Sequence, residues 1–443
     1  MVEAIRCSDD MNAFFRVRCD RGRLPILWSG FRRIVHSDFV HKVVEMLATR
    51  IALILIGLIT SVIVTRILGP HGRGLYAVAL LVGTLGVQFG NLGLHASNTY
   101  SVARDRGLLP TLVGNTLIMS FAFGSSLFMG AWAFFKYYPH WAPIQGLLLA
   151  LALSYIPFGL AYLLLQNLLL GIQEVRTYNK IELTAAILNV GITCVLIVFR
   201  AVYVETIFFS VLIVMAISFL WLLFYFKQRF HFSFTPSYAL FQGNIRYGLK
   251  AYFAALFAFL VIRVDLLMVQ YILGPDQAGY YSIAIGLSDL VFMLPVIFGT
   301  ILFPKVSALP TRQERWELTK DVALLTGLVM LILVVSISLI AKPLIPLLYG
   351  RAFSPAVPAF QWLMPGIFFL GIEVVIVQFL NSMGFPIRVV YIWGFATLLN
   401  IGMNLFVIEK YGIIGAAVVS SLSYLIVFAL IMVMIQRTLY EKE

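Results

Sequence analysis

Long apolar stretches dominate the hydropathy pattern of this chain. Runs of about 20 residues, nearly free of charge, alternate with short polar segments, and each run has the length that a bilayer-spanning helix requires. The ten-residue alternation of membrane β-strands is absent from the sequence. The pattern therefore predicts an all-α integral membrane protein with about twelve transmembrane helices. The predicted spans are residues 47–68, 75–97, 111–135, 144–170, 181–199, 203–226, 247–272, 278–303, 321–341, 358–383, 389–408 and 412–436.

The chain also carries an internal repeat. Residues 67–79 read ILGPHGRGLYAVA and residues 272–284 read ILGPDQAGYYSIA, and each copy joins the first and second helices of a six-helix set. Six helices followed by six more in the same orientation form a parallel repeat, whose symmetry axis runs along the membrane normal. The repeat predicts two lobes, an N-lobe over 46–230 and a C-lobe over 231–443.

Composition and charge agree with a membrane protein. Of the 443 residues, 61% are hydrophobic and 12% are charged, whereas soluble proteins carry about 25% charged residues. The net charge of +12 is also typical of nucleic-acid-binding proteins. Here, however, the lysines and arginines concentrate in alternate loops, 23 on one side of the membrane and 7 on the other. The positive-inside rule then places both termini in the cytoplasm and makes a nucleic-acid partner unnecessary.

The N-terminal segment differs from the rest of the chain. Residues 1–45 are rich in arginine and contain no apolar core of a signal peptide. We interpret them as a basic, disordered cytoplasmic tail. The alternative is an amphipathic segment lying in the membrane interface.

Several motifs together resemble a known family. They are RILGPHGRGLYAVA at 66–79, NLGLHASNTYSVAR at 91–104, Arg-Val-Asp at 263–265 and LPVIFGTILFPKVSAL at 294–309. Over residues 40–436 the chain resembles the polysaccharide-biosynthesis (Wzx-type) lipid-linked oligosaccharide flippases of the multidrug/oligosaccharidyl-lipid/polysaccharide exporter superfamily. The resemblance implies a V-shaped exporter of two six-helix lobes in a bacterial or archaeal plasma (inner) membrane. It also implies a substrate, an oligosaccharide on undecaprenyl pyrophosphate that crosses from the cytoplasmic to the outer leaflet. Membrane lipids and the polysaccharide polymerase machinery are the other expected partners.

Charged residues inside the predicted spans are candidates for function, because each costs about 2.5–3.5 kcal/mol on insertion scales. Arg263 and Asp289 lie at similar distances from the repeated turn, on helices that run antiparallel, and are expected to be neighbours. They could neutralise each other and join two helices. Alternatively, Arg263 could hold the pyrophosphate of the substrate through charge-assisted hydrogen bonds.

Three carboxylates are candidates for coupling or gating. Asp265, Asp289 and Glu373 lie in the C-lobe, and burial in a membrane disfavours the charged form of a carboxyl group. Proton or sodium coupling would use such groups, although each could instead make a structural helix contact. No other cofactor, metal site or disulfide is expected, because Cys7, Cys19 and Cys194 lack ligand-like spacing.

The N-lobe offers amides in place of charges. Gln88 and Asn91 are candidate substrate-binding residues, since amides both donate to and accept from sugar hydroxyls. Helix-to-helix packing is the alternative for each of them. Arg104 ends the second motif on the predicted cytoplasmic side and is a candidate contact for the incoming pyrophosphate.

Two alternative functions predict features that this sequence lacks. A cation-coupled exporter of the same superfamily is expected to carry an acidic site in its N-lobe, and the first four spans contain no carboxylate. A membrane glycan polymerase or ligase is expected to carry catalytic groups on a large outer loop. The longest predicted outer loop, about 342–357, contains neither a histidine nor a carboxylate. We therefore predict that the protein is a transporter and not an enzyme.

Overall fold

Helices form the regular secondary structure of the computed structural model, which describes residues 38–230, 235–384 and 386–440. The helices are α1 Asp38–Asn91, α2 Leu94–Arg104, α3 Leu109–Ile118, α4 Gly124–Tyr137, α5 Gly146–Gly171, α6 Val175–Val198, α7 Val204–Phe230, α8 Tyr238–Leu273, α9 Pro275–Ala308, α10 Arg312–Tyr349, α11 Ala356–Asn381 and α12 Ile387–Tyr440. A π-helical turn, Met119–Phe123, joins α3 to α4. Helices α1–α7 are called the first half below, and α8–α12 the second half.

Two of the helices cross the membrane twice. Helices α1 and α12 have 54 residues each, about 81 Å of helix, which far exceeds an apolar bilayer core of about 30 Å. Each contains a glycine with non-helical backbone angles, Gly69 in α1 and Gly412 in α12. With α3 and α4 counted as one continuous helix, ten helices of the described residues are long and apolar enough to span a membrane. Counting the two bent helices twice gives twelve crossings, which confirms the predicted all-α fold with about twelve spans.

Two boundary predictions need correction. The outer loop predicted at 342–357 is much shorter, because α10 continues to Tyr349 and α11 begins at Ala356. Pro343 and Pro346 lie within α10, whose last turns are held by the buried Ile345 and Tyr349. Of the predicted tail, residues 38–45 belong to α1, and residues 1–37 lie outside the described part of the chain.

All tertiary contacts discussed below lie within the compact unit Leu53–Glu443.

One helix lies at the centre of each half. Helix α5 packs against α2, α4 and α7, and α11 packs against α9, α10 and α12. Both are apolar around their whole circumference, as expected for helices surrounded by other helices. They are the fourth and tenth crossings, so they hold equivalent places in the repeat.

The repeated turns share an unusual backbone. Gly69 and Gly274 are equivalent residues, 205 positions apart, with φ of 65° and 84° and ψ close to 180°. This combination is essentially restricted to glycine, which explains why the same residue recurs in both copies. The end of the molecule that holds these two turns is called the Gly-Pro end below.

The two copies pack against each other at the Gly-Pro end. A Cβ at Gly74 would overlap the carbonyl oxygen of Pro275, and a Cβ at Gly279 would overlap that of Pro70. The two contacts are equivalent under the repeat, so the turns meet about a pseudo-two-fold axis. The equivalent residues His71 and Asp276 also meet there, with Nδ1 and Oδ2 3.2 Å apart.

Candidate functional site

A pocket of about 310 Å³ opens in the first half, between the two arms of α1 and helix α6. Its lining is apolar except for a polar group of hydroxyls, one amide and one guanidinium. All of its lining residues lie in the described part of the chain, and Arg73 is the one charged side chain among them. They are Leu53, Ile56, Gly57, Thr60, Ser61, Val64, Arg73, Tyr76, Leu80, Ala186 and Asn189.

The neighbours of Arg73 are electrically neutral. Its Nε donates to the Ser282 hydroxyl of α9 at 3.2 Å, and its guanidinium lies 5.7 Å from the centre of the Tyr76 ring. The phenol of Tyr349 also lies close to it. The half-buried positive charge is therefore not neutralised by these contacts, and the pocket favours a negatively charged group.

In the second half, a buried hydrogen-bond network fills the place equivalent to the Arg73 pocket. Thr60 and Tyr76 of the pocket correspond, at the repeat spacing, to Asp265 and Tyr281. Asp265 is 1% exposed, and its Oδ2 accepts hydrogen bonds from Tyr281 at 2.6 Å and from Ser420 at 2.7 Å. The two halves have thus diverged: one has a basic pocket where the other has a buried acidic network.

Arg263 and Asp289 are in contact, as predicted from their similar distances along the helices from the repeated turn. Arg263 Nη2 lies 2.9 Å from Asp289 Oδ2, with the two side chains 30% and 37% exposed. An anion that bound Arg263 would have to compete with this carboxylate. The pairing is confirmed, whereas the substrate-binding role of Arg263 stays a prediction.

Glu373 is the most isolated of the predicted coupling residues. It lies on α11, is 2% exposed, and its Oε1 has no hydrogen-bond partner among the described residues. Nearby on the same helix, Gly371 packs against Pro295 of α9 and Met330 of α10. An unpaired carboxyl oxygen in a helix core is costly, so this group is a reasonable place for a proton to bind.

The candidates of the first half do not gather in the Arg73 pocket. Asn91 is 1% exposed and contacts His95 through its side chain, with Nδ2 2.6 Å from the His95 Nδ1. Gln88 is half-buried on α1, and Arg104 is exposed at the end of α2.

Arg73 was not among the predicted site residues, because an arginine near a helix end usually marks membrane topology. Its one signal in the sequence is that the second copy of the turn has Ala278 at the equivalent position.

A second polar cluster joins the two halves at the end opposite the Gly-Pro end. Ser101 of α2 donates to Asn244 Oδ1 of α8 at 2.9 Å, and Asn244 Nδ2 donates to Asn98 Oδ1 at 2.8 Å. Asn115 of α3 exchanges two hydrogen bonds with the backbone of Ser237, at 2.8 and 2.9 Å. These five residues are called the amide clasp below.

Backbone and aromatic contacts flank the amide clasp. Gly93 and Gly248 approach so closely that a Cβ on either would collide with the carbonyl oxygen of the other. The rings of Tyr100 and Tyr247 stack across the same boundary, with centroids 4.8 Å apart and planes inclined by 14°. The sequence gave no signal that Asn98 and Asn115 would meet Asn244 and Ser237.

Several solved structures share this fold. The lipid II flippase MurJ in an inward closed conformation matches with a TM-score of 0.71 at 15% identity, covering 88% of this chain and 87% of that chain. An inward-facing multidrug resistance MATE family transporter of the MOP superfamily matches with a TM-score of 0.68 at 15% identity, covering 88% and 96%. A MOP superfamily transporter from Pyrococcus furiosus matches with a TM-score of 0.64 at 15% identity, covering 89% and 94%. The fold is therefore that of the MOP superfamily transporters, which is a multi-pass membrane fold.

The sequence comparison gives the family. The family described as "Polysaccharide biosynthesis protein" matches residues 63–358, and the chain belongs to it. An uncharacterized membrane protein of Methanocaldococcus jannaschii is 26% identical over 199 residues, which are 43% of this chain and 38% of that protein. The match thus spans well under half the length of this relative.

Proposed function

We propose that the protein moves polyprenyl-pyrophosphate-linked oligosaccharides from the cytoplasmic to the outer leaflet by alternating access, for cell-surface polysaccharide synthesis. The observation that carries this proposal is the lone positive charge of the Arg73 pocket. A diphosphate is an anion, and a half-buried guanidinium with neutral neighbours can form bidentate, charge-assisted hydrogen bonds to it. Thr60, Ser61 and Asn189 supply further hydrogen-bonding groups around it.

In this mechanism the head group and the lipid tail take different paths. The glycan and diphosphate pass between the two halves, while the polyprenyl chain stays in the surrounding lipid. The charge asymmetry of the loops predicts that the Gly-Pro end is the outer end, which would put the amide clasp at the cytoplasmic end. Substrate would then enter where the amide clasp opens and leave where the Gly-Pro turns separate.

A cation-coupled exporter is the second candidate, because MATE transporters have the same fold. Pocket polarity separates the two candidates. The Pyrococcus furiosus transporter with this fold has a binding pocket of reverse polarity, which suggests a different function for that protein. In this chain, Glu182 is a carboxylate of the first half, but it accepts from Gln166 and Tyr178 at 3.0 Å and does not line the Arg73 pocket.

The proposal is tested with purified protein in liposomes that contain a glycosylated polyprenyl pyrophosphate. We expect the protein to expose the glycan to an impermeant glycosidase outside the vesicles much faster than protein-free liposomes do. Efflux of an ethidium-type cation, measured in the same vesicles, should equal the protein-free control. Cation efflux without glycan transfer would overturn the proposal in favour of the exporter.

For energy coupling we propose that Glu373 binds and releases a proton during transport. Replacing Glu373 by glutamine removes the proton-binding site while keeping its shape, so transfer should no longer respond to an imposed pH gradient. Glu409, an exposed carboxylate of α12, provides the matched control, and Glu409→Gln should respond like the wild type. If Glu373→Gln retained the full response to the gradient, Glu373 would not be the coupling group.

A further inference from the structure

The amide clasp has a chemistry that the Arg73 pocket lacks. Its side chains are uncharged, and each can donate or accept a hydrogen bond. Those of Asn98, Ser101 and Asn244 bond to one another across the boundary between the halves. Asn98, Asn115 and Asn244 are 3%, 8% and 6% exposed. None of these side chains carries a positive charge, so the cluster lacks the charge complementarity to a diphosphate that Arg73 has.

Opening the cytoplasmic end separates groups that are paired in the closed form. When α2 moves away from α8, the hydrogen bonds that join Asn98 and Ser101 to Asn244 break. Buried amides and hydroxyls left without partners are destabilising, so in the open form either water or the substrate takes the place of these bonds. Sugar hydroxyls fit this requirement, because each of them donates and accepts as the lost amides and hydroxyls did.

The tyrosines beside the amide clasp add an apolar face. Tyr100 and Tyr247 are 49% and 60% exposed, and they now cover each other's ring faces. Separation of α2 from α8 would uncover two flat rings at the entrance. Flat apolar surface next to amides suits a pyranose, which has C–H faces and a polar rim.

We propose that the amide clasp, with Tyr100 and Tyr247, is the glycan-recognition element of the transporter. In the closed form its groups bind one another, and in the open form the first sugars of the substrate take their place. The inference rests on the proposed function for the nature of the substrate, and it adds the place where the sugar is distinguished from the lipid pyrophosphate.

The test compares two substrates in the same liposomes: undecaprenyl pyrophosphate carrying N-acetylglucosamine, and undecaprenyl pyrophosphate alone. Asn244→Leu keeps the approximate size of the side chain, adds no charge and cannot donate to Asn98, and Tyr247→Leu removes a ring that is largely exposed. We expect each variant to lower the initial rate of the glycosylated lipid by about tenfold at limiting substrate, with the rate of the bare lipid within about twofold of wild type. Asn381→Ala, which changes an amide of the second half outside the amide clasp, should leave both rates unchanged.

Each other outcome has a definite meaning. Equal slowing of both lipids would show that the amide clasp is only a gate, and unchanged rates would show that it has no role in recognition. Either result overturns the inference and leaves the proposed function intact. If the wild type moves neither lipid, the proposed function fails first and the inference fails with it. Tyr247→Leu keeps the test decisive if Asn244→Leu does not fold.

Discussion

Replacing Arg73 by alanine should lower the transfer of lipid-linked oligosaccharide by about tenfold to a hundredfold, because hydrogen bonds to a charged group are worth about 1.5–3 kcal/mol each. The expected cause is loss of the one charged group that lines the pocket of the first half. The measurement is the initial rate of glycan exposure in liposomes, at limiting and at saturating substrate. Arg73→Lys keeps the charge but not the planar fork of donors, so an intermediate rate is expected.

Two controls separate substrate binding from folding. Arg351 is an exposed arginine at the same end of the molecule, and Arg351→Gln should transport like the wild type. The thermal unfolding midpoint of Arg73→Ala should stay close to that of the wild type, since the bond from Arg73 to Ser282 is a single contact of 3.2 Å. A folded Arg73→Ala protein with full transfer activity would remove the main support for an anionic substrate.

Alanine at Gly74 or at Gly279 should destabilise the protein by about 1–3 kcal/mol, the range for forced overpacking. In both cases the added methyl group meets a backbone carbonyl oxygen of the opposite turn, which cannot move aside as a side chain can. Because the two positions are equivalent under the repeat, the two variants should shift the unfolding midpoint by similar amounts. The shift is measured by thermal unfolding in detergent.

Gly286 provides the matched control for these variants. It lies within α9, and a Cβ added there has no atom within 4 Å. Gly286→Ala should leave stability unchanged or raise it slightly, since alanine favours helix more than glycine does. If Gly74→Ala and Gly279→Ala unfolded at the same temperature as Gly286→Ala, the close crossing of the turns would not contribute to stability.

The candidate site was only partly predictable from the sequence. The contact between Arg263 and Asp289 was predicted because the two residues lie on helices that meet at the same turn. The distance of each residue from that turn follows from the rise per residue of a helix. The Arg73 pocket was not predicted, because its lining combines two arms of α1 with α6, which are separated by more than a hundred residues. No local pattern gives the distance between such segments.

The membrane environment, the helical fold, the number of crossings and the repeat could be predicted, because they follow from apolar runs and from glycine and proline at equivalent turns. Which polar residues meet, in contrast, depends on tertiary packing. Asn98 and Asn244 lie 146 residues apart, and their amides bond only because Gly93 and Gly248 let α2 and α8 approach closely. At equivalent places, the first half has a basic pocket and the second half has a buried acidic network, because the surrounding side chains differ. Such differences arise from long-range packing, which the hydropathy pattern of a single chain does not encode.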